Sequence, residues 1–485
     1  MKQYGEMEAQ TLSVKRAEVE FHSFASFGEP ERAIATYAEE NTRRGAVIRN
    51  HLNFLQWMSP YLEIGANAGH SSYMMENEFG AEGFALDLSA DALRHGQILM
   101  DRWGLERAPV RIAGDALHLP FPDNSLRLVM AYQMLSQFQD IEAVFMEAKR
   151  VLQPGGVFLF AEEPVRRLLS LRLYRAPYPE QMKTWEQKLH EWGLLGFLTK
   201  DVIGAAQEES FGIRQNHRMT LWDWDRLIRK HFVDHEYELY VPRRGWGERW
   251  AYRLGQMVDK HGSHWVPARL LGGTMAAVCR KEGFTEYPGE LPPLATRFES
   301  LLRCPDCSGS LSRDSEETLR CRDCGYTAPN EGGVYNLLRS EDKKELYPGL
   351  RGDVIDFCQG GCEDRLVQGF YGVEGVFGNK YRWVNDRAVF RLERVQPGPL
   401  KLRVRGHAPA KFTGGRISIQ ANGVHVGTYT IVRPGLFVLE APLTADAAAY
   451  LVEIAASPSH QFPPDERWFT VNLSHMRLIP DSPTA

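Results

Sequence analysis

The chain of 485 residues contains no run of about 18 consecutive apolar residues, so no segment of it reads as a membrane-crossing helix. Its formal net charge is only −5, which denies it the broad basic field that tracking a phosphate backbone requires, although a local basic patch remains compatible with that balance. There is no internal repeat and no low-complexity tract. Cysteine is scarce. Of the seven, six lie between Cys304 and Cys362 in close pairs, a distribution that suits metal binding in a reducing compartment better than a disulfide framework. The first stretch, "MKQYGEMEAQTLSVKRAEVE", is charged throughout and lacks the apolar centre of a secretory signal, so the expected location is cytoplasmic.

What the chain does have is an apolar content of 43% over a length too great for one ordinary core, so roughly two to four domains are expected. After an N-terminal extension over 1–30, residues 31–285 alternate helical and strand patterns. "YLEI", "GFALDL", "VRIAGD", "LRLVMAYQ" and "VFLFAEE" read as strands, and "RGAVIRNHLNFLQWM", "ADALRHGQILM" and "DIEAVFMEAKRVL" as helices. Ser89 is a candidate N-cap, and Pro154, Gly155 and Gly156 a helix stop. This rhythm predicts an α/β fold with a doubly wound, mainly parallel sheet. A helical insertion is expected at about 165–230, with "HEYELYV" and "TMAAVCRK" returning to the sheet as its last strands. Residues 299–340 hold paired cysteines, 341–379 read as a connecting segment, and 380–485 change to short alternating segments separated by turn residues. That pattern, with Asn422-Gly423 as a hairpin turn, predicts an antiparallel β-sandwich.

The stretch "YLEIGANAGHSS" (61–72) empties a strand ending in Glu63 into a turn of Gly65, Ala66, Asn67 and Gly69. A strand, a glycine turn and a helix let backbone N–H groups approach a ligand that side chains would otherwise block, but a single match also describes an ordinary turn. The neighbouring strands add to it. Asp87 ends the second predicted strand and Asp115 the third, placing three acidic residues at successive strand ends, where the ligand crevice of a doubly wound sheet lies. A carboxylate at Asp87 can accept both hydroxyls of a ribose.

With "FALDLS", "AGDALHLPFPDNSLRLVMAYQMLSQFQD" and "EAKRVLQPGGVFLFAEE" following in order, roughly residues 40–165 resemble the successive motifs of class I S-adenosylmethionine-dependent methyltransferases, which have a Rossmann-like fold. The resemblance implies S-adenosylmethionine as cofactor. It implies that Glu63 and the turn from Gly65 to Gly69 hold the methionine moiety, Asp87 the ribose, and Asp115 with Ala116 the adenine, and it extends the set to Leu88 and Tyr132. One departure stands out: the family's middle glycine is Asn67 here, a residue that tolerates left-handed backbone but carries a side chain toward the site. A nicotinamide dehydrogenase is disfavoured, since its first glycine would fall where Glu63 or Ile64 stands and a pyrophosphate would meet the Glu63 charge.

Methyl transfer is an in-line displacement, so the protein must orient donor and acceptor and supply a base if the acceptor is a hydroxyl. Tyr132, Gln133, Glu162 and Glu163 stand at the fourth and fifth strand ends. The catalytic candidates are Glu163, whose ordinary alternative is a solvated turn, and His217 from the insertion, whose ordinary alternative is a helix cap or surface residue. His70, directly after Gly69, is expected to pack at a helix start.

Cys304, Cys307, Cys321 and Cys324 stand in "CPDC" and "CRDC", two tight turns whose thiolates can close a tetrahedron around a structural zinc ion with no position open for water. The stretch around them resembles the small zinc ribbon of the Trm112-like kind, which raises an RNA or protein acceptor as an alternative. The chain lacks the asparagine or aspartate, proline, proline, aromatic signature after the fourth strand, having "AYQM" there, which argues against methylation of base amino groups. Cys358 and Cys362 are expected to be unliganded thiols, and Cys279 to pack in a core strand. The C-terminal region, with Trp383, Trp468 and His460, loosely resembles carbohydrate-binding β-sandwiches, and homo-oligomerisation through it is a further expectation. The leading functional expectation is O-methylation of a sugar, glycan or related small-molecule hydroxyl. The alternative of a different class is a cofactor-binding scaffold without turnover.

Overall fold

In a computed structural model, the residues described are 15, 19, 30–138, 140–165, 185, 219–240, 273–289, 292–315, 317–347, 351–357, 360–376, 379–395, 397–432, 434–443 and 447–481. They divide into two compact units, with the boundary between Asp342 and Lys343. His217, Cys358 and all of the expected insertion except Trp185 and its last residues lie outside the described residues.

In the first unit, α1 (Pro30–Asn50) precedes β1 (Tyr61–Ile64), α2 (His70–Glu78), β2 (Gly83–Asp87), α3 (Ala90–Trp103), β3 (Val110–Ala113), β4 (Leu126–Tyr132), α4 (Ile141–Val151) and β5 (Leu152–Val165). Every residue of β1, β2 and β4 is buried, as befits strands covered by helices on both faces. Local chemistry sets the helix ends. The Ser89 hydroxyl accepts the Ala92 N–H at the start of α3, and Gly104 ends that helix in a left-handed conformation at φ 60°. Asp140 caps α4 through the Ala143 N–H. The amphipathic α4 buries Ile141, Val144, Phe145, Ala148 and Val151 on one face.

After α5 (Leu221–His231), which starts with a Thr220–Asp223 capping box, β6 (Asp234–Tyr240) and β7 (Gly273–Arg280) return to the sheet. β3, β2, β1, β4 and β5 pair in parallel in that order, and β7 and then β6 add antiparallel beyond β5. The strand order reverses at β1, between β2 and β4. In such a sheet the crevice at this reversal is where ligands sit, outside the carboxyl ends of the strands.

The cysteine-rich segment is not a free-standing module. Its strands β8 (Leu311–Ser315), β9 (Thr318–Cys321), β10 (Thr327–Glu331) and β11 (Val334–Asn336) continue the sheet past β3 to make eleven strands. β11 lies parallel to β3, with Val334 opposite Arg111 and Asn336 opposite Ala113, and the Leu337 N–H bonds the Ala113 carbonyl at 2.8 Å. Leu302, Leu311, Leu319, Tyr326 and Tyr335 belong to the same core as Leu86, Ile112 and Phe121. The edge that β3 would otherwise expose is thereby paired.

At the opposite edge, His51 Nδ1 is 2.7 Å from Glu236 and Nε2 is 3.0 Å from Glu238, both on β6. Burial opposes the charge on this ring, but the two carboxylates outweigh it and raise its pKa. A raised histidine contributes its stability fully below the ordinary range near 6.5 and loses it as pH rises through the folded value. The thermal midpoint should therefore fall as pH rises above that range. His51→Gln should flatten the slope and cost about 2 kcal/mol at low pH. Equal slopes in parent and variant would remove His51 as the source.

The second unit contains β12 (Val354–Asp356), β13 (Leu366–Val376), β14 (Asn379–Glu393), β15 (Leu400–Ala408), β16 (Arg416–Ala421), β17 (Val424–Thr430), β18 (Gly435–Pro442), β19 (Ala449–Ser457), β20 (His460–Gln461), β21 (Trp468–Phe469) and β22 (Asn472–Pro480). Asn422 and Gly423, both left-handed at φ 50° and 79°, make the expected hairpin between β16 and β17. Two sequence expectations change here. The supposed connecting segment supplies β12 and β13 to the sheet. And instead of two stacked sheets there is, among the described residues, one antiparallel sheet of nine strands, running β17-β16-β19-β14-β22-β15-β18 with β12 and β13 beside it, and a short separate pair of β20 and β21. The large sheet curls until its terminal strands meet, where the Tyr429 hydroxyl on β17 donates to the Glu440 carbonyl on β18 at 2.5 Å. The long β14 makes this possible, pairing in turn with β13, β22 and β19 around one apolar core.

Candidate active site

Three left-handed residues shape the turn after β1: Gly65 at φ 68°, Asn67 at φ 51° and Gly69 at φ 75°. Asn67 thus adopts the conformation that the missing glycine would have supplied. The φ of 68° favours glycine at position 65, and a Cβ there would also come within 2.8 Å of the Met134 sulfur, so that side chain would have to shift. The Ala66 N–H bonds the Leu86 carbonyl at 3.0 Å, tying the turn to β2.

Of the three carboxylates at these strands, Asp87 touches this turn directly. Asp87, last in β2, accepts the Ser89 N–H through Oδ1 at 2.8 Å and the Asn67 N–H through Oδ2 at 2.7 Å. It therefore holds the turn itself. Glu63 is buried in β1 and accepts the Ser72 hydroxyl at 2.5 Å, and burial pushes its carboxyl up to about 7. Asp115, just past β3, accepts the Leu117 N–H at 2.9 Å and faces His118 Nδ1 at 3.0 Å and Lys15 Nζ at 2.9 Å. Burial alone would raise Asp115, but these partners outweigh it and hold it down at about 2. Leu88 and Ala116 follow Asp87 and Asp115 directly, Leu88 half-buried and Ala116 buried. Tyr132, buried, ends β4 with the Arg44 guanidinium over its ring at 4.5 Å.

Glu163 has another role than the candidate base read from the sequence. Wholly buried, it accepts the backbone N–H groups of Met134, Leu135 and Ser136 at 2.8 to 3.0 Å, capping the short turn after β4. Burial raises its carboxyl to about 7 despite those donors. Glu163→Gln would set an amide NH2 against backbone N–H groups, and should cost about 2 kcal/mol of stability. Parent-like stability in that variant would return Glu163 to the candidate bases.

Sequence reasoning missed the wall contributed by α1. Tyr37, Glu40, Asn41 and Arg44 recur at helical spacing on one face, a polar stripe that was legible in principle. Arg44, buried, donates to Glu162 and to the Ser71 hydroxyl and lies 3.3 Å from Glu40. Glu162, at the irregularity of β5 between Phe160 and Glu163, and Gln133, after β4, are both left-handed, at φ 64° and 54°. Strained residues of this kind cluster at ligand sites.

In the sheet extension, the sulfur atoms of Cys304, Cys307, Cys321 and Cys324 all lie within 4.8 Å of one another, with Cys304 and Cys324 at 3.6 Å and Cys307 and Cys321 at 3.5 Å. Four sulfurs about 2.3 Å from one tetrahedral ion would sit about 3.8 Å apart, so the residues fit zinc. Each CxxC turn closes on a left-handed residue, Ser308 and Gly325, whose N–H bonds back to the carbonyl of its first cysteine.

Comparison with known proteins agrees with this geometry. Residues 62–160 match the family model described as a methyltransferase domain. A sterol 24-C-methyltransferase of Gibberella zeae is 30% identical over 97 residues, which is 20% of this chain and 26% of that protein. Norajmaline N-methyltransferase of Rauvolfia serpentina is 27% identical over 128 residues, covering 26% of this chain and 41% of its own. Demethylmenaquinone methyltransferase of Listeria welshimeri is 36% identical over 97 residues, covering 20% and 41%. The chain thus spans well under half the length of these relatives. The segment running from β1 to β5 matches a methyltransferase domain in sequence and carries a doubly wound parallel sheet.

Proposed function

We propose that the protein is an S-adenosylmethionine-dependent methyltransferase acting on a small-molecule hydroxyl, a sugar or glycan intermediate being the favoured acceptor. The observation that carries the methyl-donor reading is that Asp87 holds the left-handed turn after β1 at the strand-order reversal, with Glu63 buried in β1 and Asp115 just past β3 on the adjacent parallel strands. In this reading the turn and Glu63 hold the methionine part, Asp87 the ribose, and Asp115 with Ala116 the adenine, Leu88 and Tyr132 adjoining them. The bound sulfonium supplies an activated methyl group. The protein's share is to orient it and the acceptor. Calorimetric titration with S-adenosylmethionine, S-adenosylhomocysteine and NADH tests this: both sulfur compounds should bind and NADH should not. Absence of binding by either sulfur compound would remove the methyl-donor reading.

The four cysteines hold a structural zinc ion in the same reading. With four protein ligands the ion is closed to water and stabilises the sheet extension.

The sugar part of the proposal is supported by the second unit. There Trp468 is 50% exposed. Phe469, its neighbour in sequence, lies 5.0 Å from Trp383, and Arg467 crosses Tyr371 and Phe469. Aromatic faces next to charged hydrogen-bonding groups suit sugar rings. Trp468→Ala should abolish retardation of the protein by soluble polysaccharides in affinity electrophoresis. No retardation of the parent by any of them would remove the sugar reading and leave the methyl-donor reading in place.

A further inference from the structure

His70, the first residue of α2, was expected to pack. Its side chain is indeed buried, 3% exposed, with its ring stacked on Tyr37 at 4.3 Å. Yet Nδ1 is buried with no hydrogen-bond partner among the described residues. A buried polar atom left without a partner is costly and requires an explanation.

The surroundings supply one. At the other ring nitrogen, Nε2 is 2.8 Å from Glu40 Oε2 and 2.6 Å from Arg44 Nη1. Of these two, only the carboxylate can receive a ring N–H, and Arg44 has the Ser71 hydroxyl and Glu162 for its own donors. A proton on Nε2 leaves a lone pair on Nδ1. Burial, with the Arg44 charge and against the pull of Glu40, disfavours the imidazolium in the resting protein. The same Arg44 lies over Tyr132 and pairs with Glu162. The cluster therefore stands at the carboxyl ends of β4 and β5, beside the turn after β1, where an acceptor must approach the methyl group.

We propose that His70 Nδ1 takes the proton from the acceptor hydroxyl and that Glu40 is the positioning residue that fixes the ring's tautomer. This rests on the methyl-donor reading above. In the step, the acceptor O–H bond breaks and its proton passes to Nδ1. The oxygen's electron pair forms the new O–C bond while the C–S bond of the sulfonium breaks, leaving its pair on a neutral thioether sulfur. The resulting imidazolium is stabilised by Glu40.

Nitrogen-15 NMR of histidine-labelled full-length protein tests the assignment, with the His70 signals identified by their loss in His70→Gln. At neutral pH, with and without S-adenosylhomocysteine, Nε2 should carry the proton and Nδ1 should not, and Glu40→Gln should shift the balance toward the other tautomer. A proton on Nδ1 in the parent would overturn the proposal, as would a tautomer indifferent to Glu40→Gln. In calorimetry His70→Gln should bind S-adenosylhomocysteine within about threefold of the parent, and a loss of about tenfold or more would make the ring part of cofactor binding and overturn the proposal. If His70→Gln fails to fold, His70→Asn carries the same comparisons. Failure of the parent to bind S-adenosylhomocysteine would instead remove the methyl-donor reading, an outcome separate from the tautomer result.

Discussion

Asp87→Ala is expected to lose at least a hundredfold in affinity for S-adenosylhomocysteine. Two effects add. Hydrogen bonds from ribose hydroxyls to a carboxylate are worth about 1.5 to 3 kcal/mol each, so losing two corresponds to a factor of a hundred or more. The carboxylate also holds the Asn67 N–H at 2.7 Å and the Ser89 N–H at 2.8 Å, so its removal loosens the left-handed turn and the cap region of α3 together. Asp87→Asn should be nearly as damaging, because an amide NH2 would face one of those two N–H donors. Circular dichroism and thermal unfolding establish that each variant is folded, and calorimetry reads the affinity. Parent-like binding by folded Asp87→Ala would remove Asp87 from the site and, with it, the arrangement of three strand-end carboxylates.

The second large effect is expected from the metal. Purified protein should contain one zinc per chain by elemental analysis, and a strong chelator or Cys321→Ser should lower the thermal midpoint of the first unit by more than ten degrees. The scale follows from structural zinc sites, where binding contributes roughly 10 kcal/mol or more of folding free energy. Damage should not stay local. β11 is hydrogen-bonded to β3, the Leu337 N–H bonds the Ala113 carbonyl, and Leu311, Leu319 and Tyr335 share the core of the α/β domain. Unfolding of the extension would expose the β3 edge two residues before Asp115. A metal-free preparation with an unchanged transition would show that the four thiols need no ion.

Much of the donor-side site was legible because it is written in short-range chemistry. Glu63, Gly65, Asn67 and Gly69 lie within one turn, and their left-handed conformations follow from residue types that tolerate them. Ser89 as N-cap and Asn422-Gly423 as a hairpin turn are likewise decided by a few neighbours. The cysteine pairs gave their own geometry by spacing alone. Glu163 was read for its carboxylate, and its role depended on where a loop beginning at Met134 would place three N–H groups. Arg44 carries no signal of its own in the sequence, and His70 reads there only as a packing residue, for the same reason. A cation on a helix and a histidine after a glycine are ordinary until α1 brings Glu40, Arg44 and Tyr37 against α2.

The succession of strands and helices, the shape of the glycine turn, the acidic strand ends and the pairing of the cysteines are all written locally in the chain. These rest on period, capping, backbone freedom and spacing, which act over a few residues. Only the tertiary structure decided that the cysteine segment extends the sheet at β3, that the C-terminal strands curl as one sheet, and that α1 closes a buried polar cluster beside the turn. Pairing between strands far apart in sequence depends on which edges and apolar faces remain unsatisfied once the local elements have formed, and no local pattern records that.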